Sequence, residues 1–276
     1  MPYQKNKIRS SSNRKHEVKG SNLKYYLFGV HAVLAALQNP ARKNKRLFVT
    51  EEAIRNLGNK LTDILDEHPN PPPVETATKK LVEKFSPPDA VHQGILLETK
   101  PLTPLFLKEW LRKLPTERPI RLLVMDQVTD PHNVGAIIRT ATAFNVDALM
   151  LTWRNAPEET PTLAKIACGG LEHLPIIRVG NLSEALHIVR ENGFSLYGLA
   201  GESDLELQDV EPEARSCLIF GSEGKGMREK TRQLCDQLVK LPTSGILRDI
   251  NVSNAAAISL FHFRKKSIDF VGTTNS

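Results

Sequence analysis

Three short stretches combine residue types that could do chemistry. The first is Asp130-Pro-His-Asn133, with Arg139 six residues on. It follows an apolar run, Arg121 to Val128, and opens a helix expected from Val134 to Phe144, with Asn133 where an N-cap would stand. Gly135 would let another backbone approach this helix. Arg139 falls on its polar side. A single arginine on a helix is usually a solvated charge, but one short helix from a strand's carboxyl edge it can hold a phosphate through two nitrogens. The second stretch is Gly221-Ser-Glu-Gly-Lys-Gly226. Its glycines admit a ligand close to the backbone. It is neither a Walker A loop nor GxGxxG, because the Lys-Ser/Thr pair and the glycine spacing are both missing. A plain tight turn would account for the glycines alone. Glu223 is the odd member: a carboxylate repels phosphate, so a cationic or hydroxyl-bearing ligand fits better. The third stretch runs from Leu241 through Asp249-Ile-Asn251-Val-Ser253 into an apolar helix. Asn251 and Ser253 are its candidate caps, and a loop entering a helix start offers unpaired N–H groups. Alone, it reads as a capped, buried final helix.

These stretches need elements to position them. From residue 120 the chain alternates strand and helix. Strands are expected at 121–128, 148–152, 175–179, 195–200, 217–221 and 237–241, with helices at 134–144, 161–168, 183–191 and around 227–234. Such alternation predicts a mostly parallel sheet covered on both faces, with ligands at the carboxyl ends of its strands. All three stretches follow strands and so belong to that edge. Residues 23–100 read as a smaller α/β unit: strands near Tyr25, at 46–50, 74–76 and 94–99, and helices at 29–38, 53–65 and 78–85. His31 and His92 are its notable polar residues and are read as structural. Residues 101–119 form a proline-marked linker, whose Leu105, Leu107, Trp110, Leu111 and Leu114 predict a docking helix.

The 276 residues suffice for two cores. No apolar run is long enough to span a bilayer, and the polar first 22 residues predict no secretory leader. Cys168, Cys217 and Cys235 have no metal-ligand spacing, so no metal is expected, and reduced, mostly buried thiols point to a cytoplasmic protein. The net charge of +6 is located in the first 24 residues, which hold seven bases against Glu17. The rest of the chain is neutral. A basic, Ser/Asn-rich flexible tail over 1–22 suits a polyanion such as nucleic acid, and equally a solvated tail without partner.

In order and spacing, DPHNVGAIIRTATAF, FGSEGKGM and LPTSGILRDINVSNAAA resemble the three motifs of the SpoU/TrmH methyltransferase family of the SPOUT superfamily. FGVHAVLAAL and DAVHQGIL resemble the L30e-like substrate-binding domain of its bacterial 23S rRNA guanosine-2′-O-methyltransferase branch. The resemblance implies an L30e-like domain at 23–100 and a SPOUT domain at 120–270 with a trefoil knot. It implies S-adenosylmethionine held by Gly221, Leu241 and Ile250, catalytic roles for Asn133, Arg139, Glu223 and Asn251, a homodimer using the final helix, and a ribose 2′-OH of structured RNA as substrate. Arg139's counterpart is sometimes called a general base; a guanidinium is a poor base at neutral pH, so alkoxide and phosphate stabilisation is expected instead. One departure stands out: the third motif usually reads SLNVS, and Asp249 here replaces its Ser. The rival readings are a tRNA ribose methyltransferase and a catalytically silent RNA-binding protein on the same scaffold.

Overall fold

The computed structural model describes residues 24–246 and 250–264. The expectations for the basic tail, for Asp249 and for the chain beyond 264 lie outside the described residues.

The first unit contains β1 (Tyr25–Phe28), α1 (Val30–Gln38), β2 (Arg46–Val49), α2 (Glu51–Leu57), α3 (Asn59–Glu67), β3 (Val74–Thr76), α4 (Lys79–Phe85) and β4 (Ile95–Thr99). Its sheet runs β1-β4-β2-β3, antiparallel except for β2 with β3. The single helix expected at 53–65 is two helices. Gly58 breaks it at φ +53°, capping α2 by donating its N–H to the Ile54 carbonyl. The break shifts the apolar stripe: Leu61 and Ile64 are buried in α3, while Ile54 is left exposed. His92 does structural work, its Nδ1 accepting the Gly94 N–H at 3.0 Å; His31 is exposed.

The linker carries α5 (Leu107–Arg112). It docks as expected: Leu105 N donates to Ile176 O at 2.8 Å, and buried Trp110 meets Phe194 at 6.0 Å between ring centroids. The second unit follows with β5 (Ile120–Asp126), α6 (Pro131–Ala143), β6 (Ala148–Thr152), α7 (Pro161–Ile166), β7 (Ile176–Val179), α8 (Leu182–Glu191), β8 (Ser195–Leu199), β9 (Arg215–Gly221), α9 (Glu229–Leu234), β10 (Gln237–Val239) and α10 (Val252–Phe263). All its strands pair in parallel, in the order β10-β8-β9-β5-β6-β7. β5 is buried along its whole length because both its faces are covered. Leu123 and Met125 pack under α6, α7 and α10, while Leu122 and Val124 face α5 and α8. Among the described residues no helix is long and apolar enough to cross a membrane. Of the three free thiols only Cys217 is fully buried, and Cys168 is exposed. Burial raises the Cys217 pKa, and burial with Asp236 nearby pushes that of Cys235 up to about 12.

The two units share the core beneath α1, α6 and α7, and an ionic cluster joins them. Arg42, with its side chain fully buried, reaches Glu159 and Glu172 at 2.7 Å each and donates to Lys100 O at 2.7 Å. Tyr25 Oη and Leu102 N also donate to Glu159, and Asn39 Nδ2 donates to Glu172. Burial and Glu159 both raise the Tyr25 pKa, so its hydroxyl keeps the proton it donates. Each charge is thus satisfied only while the units stay docked. Arg42→Met strands two buried carboxylates and should cost about 3–5 kcal/mol in urea denaturation; a loss under about 1 kcal/mol would show the cluster to be idle.

Candidate active site at the carboxyl edge of the sheet

The three chemistry-bearing stretches all leave the carboxyl edge of the second sheet. In register Gly221, the last residue of β9, stands beside Asp126, the last residue of β5. Asp126 is fully buried, and its carboxylate takes the Arg228 backbone N–H at 2.9 Å and the Arg228 guanidinium at 2.7 Å. This pair ties the far end of the glycine loop to β5. Sequence reasoning missed both residues; the available signal was an acid ending an apolar strand.

The glycine loop is folded back on itself. Ser222 and Gly226 exchange backbone hydrogen bonds at 3.1 and 2.9 Å. A Cβ on Gly221 would fall 2.1 Å from the Gly226 carbonyl carbon, so no larger residue fits there. The turn presents Glu223 towards the other two stretches. Its Oε1 accepts from Asn251 Nδ2 at 2.6 Å, Asn133 Nδ2 at 3.2 Å and Val252 N at 3.4 Å. Asn251 Nδ2 also donates to Asn133 Oδ1 at 2.9 Å. One carboxylate oxygen therefore joins positions 90 and 28 residues away along the chain.

Local structure frees these side chains for the task. The N-cap of α6 is Asp130, not Asn133 as the sequence suggested: its carboxylate accepts from His132 N and Asn133 N, with Pro131 in the first turn. The helix starts three residues earlier than expected, and the Asn133 amide is left for Glu223. Asn251 does cap α10, taking the Ser253 N–H at 2.8 Å through Oδ1 while its Nδ2 serves the junction. Ser253, the other candidate cap, donates its hydroxyl to Asn251 Oδ1 at 2.5 Å. Gly135 does admit a neighbour: a Cβ there would lie 2.9 Å from Ile166, where α7 crosses α6.

Beside the junction lies an open cleft of about 1430 Å³ between residues 199–202, 220–227, 239–245 and 250–252. Gly221, Leu241 and Ile250, the positions assigned to the cofactor, all line it, as do Glu223 and Asn251. Arg139 is exposed on α6, does not line the cleft, and forms no ion pair among the described residues. The structure brings Asn133, Glu223 and Asn251 together and leaves Arg139 apart. Among the described residues there is no cluster of His, Cys, Asp and Glu that could hold a metal. The cleft does fit a sulfonium nucleoside. Phe220, Val239 and Val252 give an apolar floor, Gly221 brings backbone close, and Glu202, Glu206 and Glu223 oppose Lys225, Arg232 and Lys240. A cationic ligand with its own carboxylate meets both signs of charge there.

Comparison with known proteins is in keeping with this geometry. The model of the SpoU rRNA Methylase family matches residues 121–261, which carry all three loops. The chain belongs to the SpoU rRNA methylase family. A second model, RNA 2′-O ribose methyltransferase substrate binding, matches residues 26–105. The 23S rRNA (guanosine-2′-O-)-methyltransferase RlmB of Pseudomonas putida KT2440 is 37% identical over 85% of this chain and 94% of its own. RlmB of Escherichia coli K12 is 33% identical over 85% and 96%. Among solved structures, the SpoU methyltransferase AviRb from Streptomyces viridochromogenes superposes with a TM-score of 0.73 at 22% identity, over 89% of this chain and 91% of that one. At that identity the match speaks for the fold alone.

The junction is exposed to solvent, so each of its bonds contributes about 1 kcal/mol and its effect is mainly geometric. Removing the shared acceptor with Glu223→Ala should speed amide exchange at residues 221–226 and 250–253 roughly tenfold, the equivalent of ~1.4 kcal/mol. Unchanged exchange by mass spectrometry would show that the loops are held by other contacts.

Proposed function

We propose that this protein uses S-adenosylmethionine to methylate a ribose 2′-OH of RNA, most specifically a guanosine of 23S rRNA. The observation that carries the reading is the Asn133–Glu223–Asn251 junction at the edge of a cleft, in a chain aligned nearly end to end with RlmB relatives. In this reading Gly221, Leu241 and Ile250 hold the cofactor, which supplies a methyl group on a positively charged sulfur. Glu223, Asn133 and Asn251 orient the loops and the sugar. Oε2 of Glu223 accepts no hydrogen bond among the described residues and is left for a substrate hydroxyl. Arg139 grips the phosphate next to the target ribose and stabilises the oxygen as its proton leaves. Exposed, and without an ion pair among the described residues, it suits a group that waits for RNA.

Residues 23–100 dock the RNA, 101–119 link, and 120–270 carry the reaction, as supported by the two family matches. The trefoil knot is part of the same proposal. It is supported by the path of the chain: from β10 at the sheet edge it returns past the 221–226 loop to pack α10 on α6 near the sheet centre. Homodimer formation is supported by Ile258 and Phe261, large apolar side chains of α10 that stay exposed, Phe261 beside Phe144 at the end of α6. A cytoplasmic location belongs to the same proposal, supported by the ribosomal RNA named for the relatives.

Two measurements test the reading. Mapping 2′-O-methyl groups in rRNA from a strain lacking the gene should show one guanosine of 23S rRNA unmodified, and restored by the gene; a complete rRNA pattern with a missing tRNA methyl would move the substrate to tRNA. For Arg139, the Lys variant should lose about 10²–10³-fold in rate with an unchanged pH profile. A full rate with a shifted pKa would assign it the base role instead.

A further inference from the structure

We propose that Trp153 is a stacking platform for a base of the RNA next to the nucleotide whose ribose is held at the Asn133–Glu223–Asn251 junction. The inference rests on the reading of the protein as an RNA methyltransferase, and it adds a contact at a position outside the three motifs.

Register gives the location. Gly221 stands beside Asp126, and Val124 beside Met150, so Thr152 comes level with Asp126 on the other side of β5. Trp153 is the next residue, two strand spacings from the glycine loop, or roughly 10 Å. That is the reach of a nucleotide adjacent to a ribose held at the Asn133–Glu223–Asn251 junction, on the β5 side of the glycine loop.

The backbone that carries the indole at this edge is fixed rather than a loose loop. Trp153 remains 44% exposed, whereas Trp110, the only other tryptophan, is 7% exposed. Its backbone N–H is fixed to Val179 O at 3.0 Å. Beneath the turn, Arg178 donates to Thr152 O at 2.9 Å and to Pro157 O, and the Thr152 hydroxyl donates to Arg154 O. A half-buried to buried guanidinium is thus spent on holding the backbone of residues 152–157. Single exposed aromatics are common on protein surfaces. One whose backbone is braced from below, at the same sheet edge as the reactive loops, can receive a flat apolar partner with no loop left to order.

The surroundings favour nucleic acid over protein. Arg154 is exposed and forms no ion pair among the described residues, so it can meet a phosphate; of the loop's two acids, Glu159 is taken up by Arg42, and Glu158 is the other. The loop ends at Glu159, which Tyr25, Arg42 and Leu102 of the first unit and linker grip. The loop therefore runs from the sheet edge that carries the junction to the first unit. RNA that spans both can cross it, and unstacked bases of structured RNA are commonly held on aromatic faces.

The test uses the full chain and a 23S rRNA transcript made in vitro, free of modification. Trp153→Ala should raise the Kd and KM for the transcript about tenfold or more, the range for losing one stacked base. Its rate at saturating RNA and its affinity for S-adenosylmethionine should stay within twofold of wild type. Trp153→Phe should recover most of the RNA affinity, and the quenching of tryptophan fluorescence by RNA in the wild type should disappear in it. An alanine variant that binds the transcript like wild type overturns the proposal while wild-type methylation upholds the parent reading. Equal loss of cofactor binding also overturns it, by assigning Trp153 a structural role. A wild type that neither binds nor methylates the transcript counts against both.

Discussion

The site depends on one carboxylate oxygen. Oε1 of Glu223 draws the start of α6, the glycine loop and the start of α10 to a single point. The atoms it joins come from stretches that no local propensity would bring together. An acid in a glycine-rich loop makes little sense for phosphate binding and good sense as a shared acceptor for two amides and a backbone N–H. The loop is also shaped for this role: Gly221 leaves no room for a Cβ, and Asp126 holds Arg228 where the loop rejoins the fold. The junction is a meeting point set by rigid supports on each side, not a strong bond in itself.

Those supports are the parallel strands. β9 and β5 run side by side and end level, so loops leaving them start as neighbours. β10 lies at the sheet edge, and only the return of the chain to α10 brings Asn251 back across. The buried Arg42 cluster then sets where the first unit sits relative to this edge, because its carboxylates belong to the second unit and its cation to the first. Substrate docking and methyl transfer are thereby held in one frame. Chemistry on a weakly acidic hydroxyl gains most from such fixed geometry.

Much of this was legible in the sequence, for identifiable reasons. The continuous apolar run of β5 announced a strand covered on both faces, and the alternation after it announced a parallel sheet. The three polar loops could be placed at one edge because each follows a strand. The reading failed where a local choice had two good solutions. Asn133 and Asp130 are both fair N-caps, and Pro131 tips the balance towards Asp130. Gly58 could be tolerated inside a helix or could end one, and here its positive φ ends it. The long-range ion pairs were invisible for a different reason. Arg228 and Asp126 are 102 residues apart, Arg42 and Glu172 130, and nothing in either neighbourhood names its partner. The same holds for Trp153, which in the sequence is only an aromatic after a strand.

The central claim is that three distant loops converge on one cleft that presents a methyl donor to a sugar oxygen. The most direct measurement is a crystal structure of the full chain with S-adenosylhomocysteine, the stable product of the donor. The account predicts the ligand in the cleft between residues 220–227, 239–245 and 250–252, with Glu223 still bonded to Asn133 and Asn251. A ligand bound elsewhere, or loops standing apart with Glu223 turned to solvent, would contradict it.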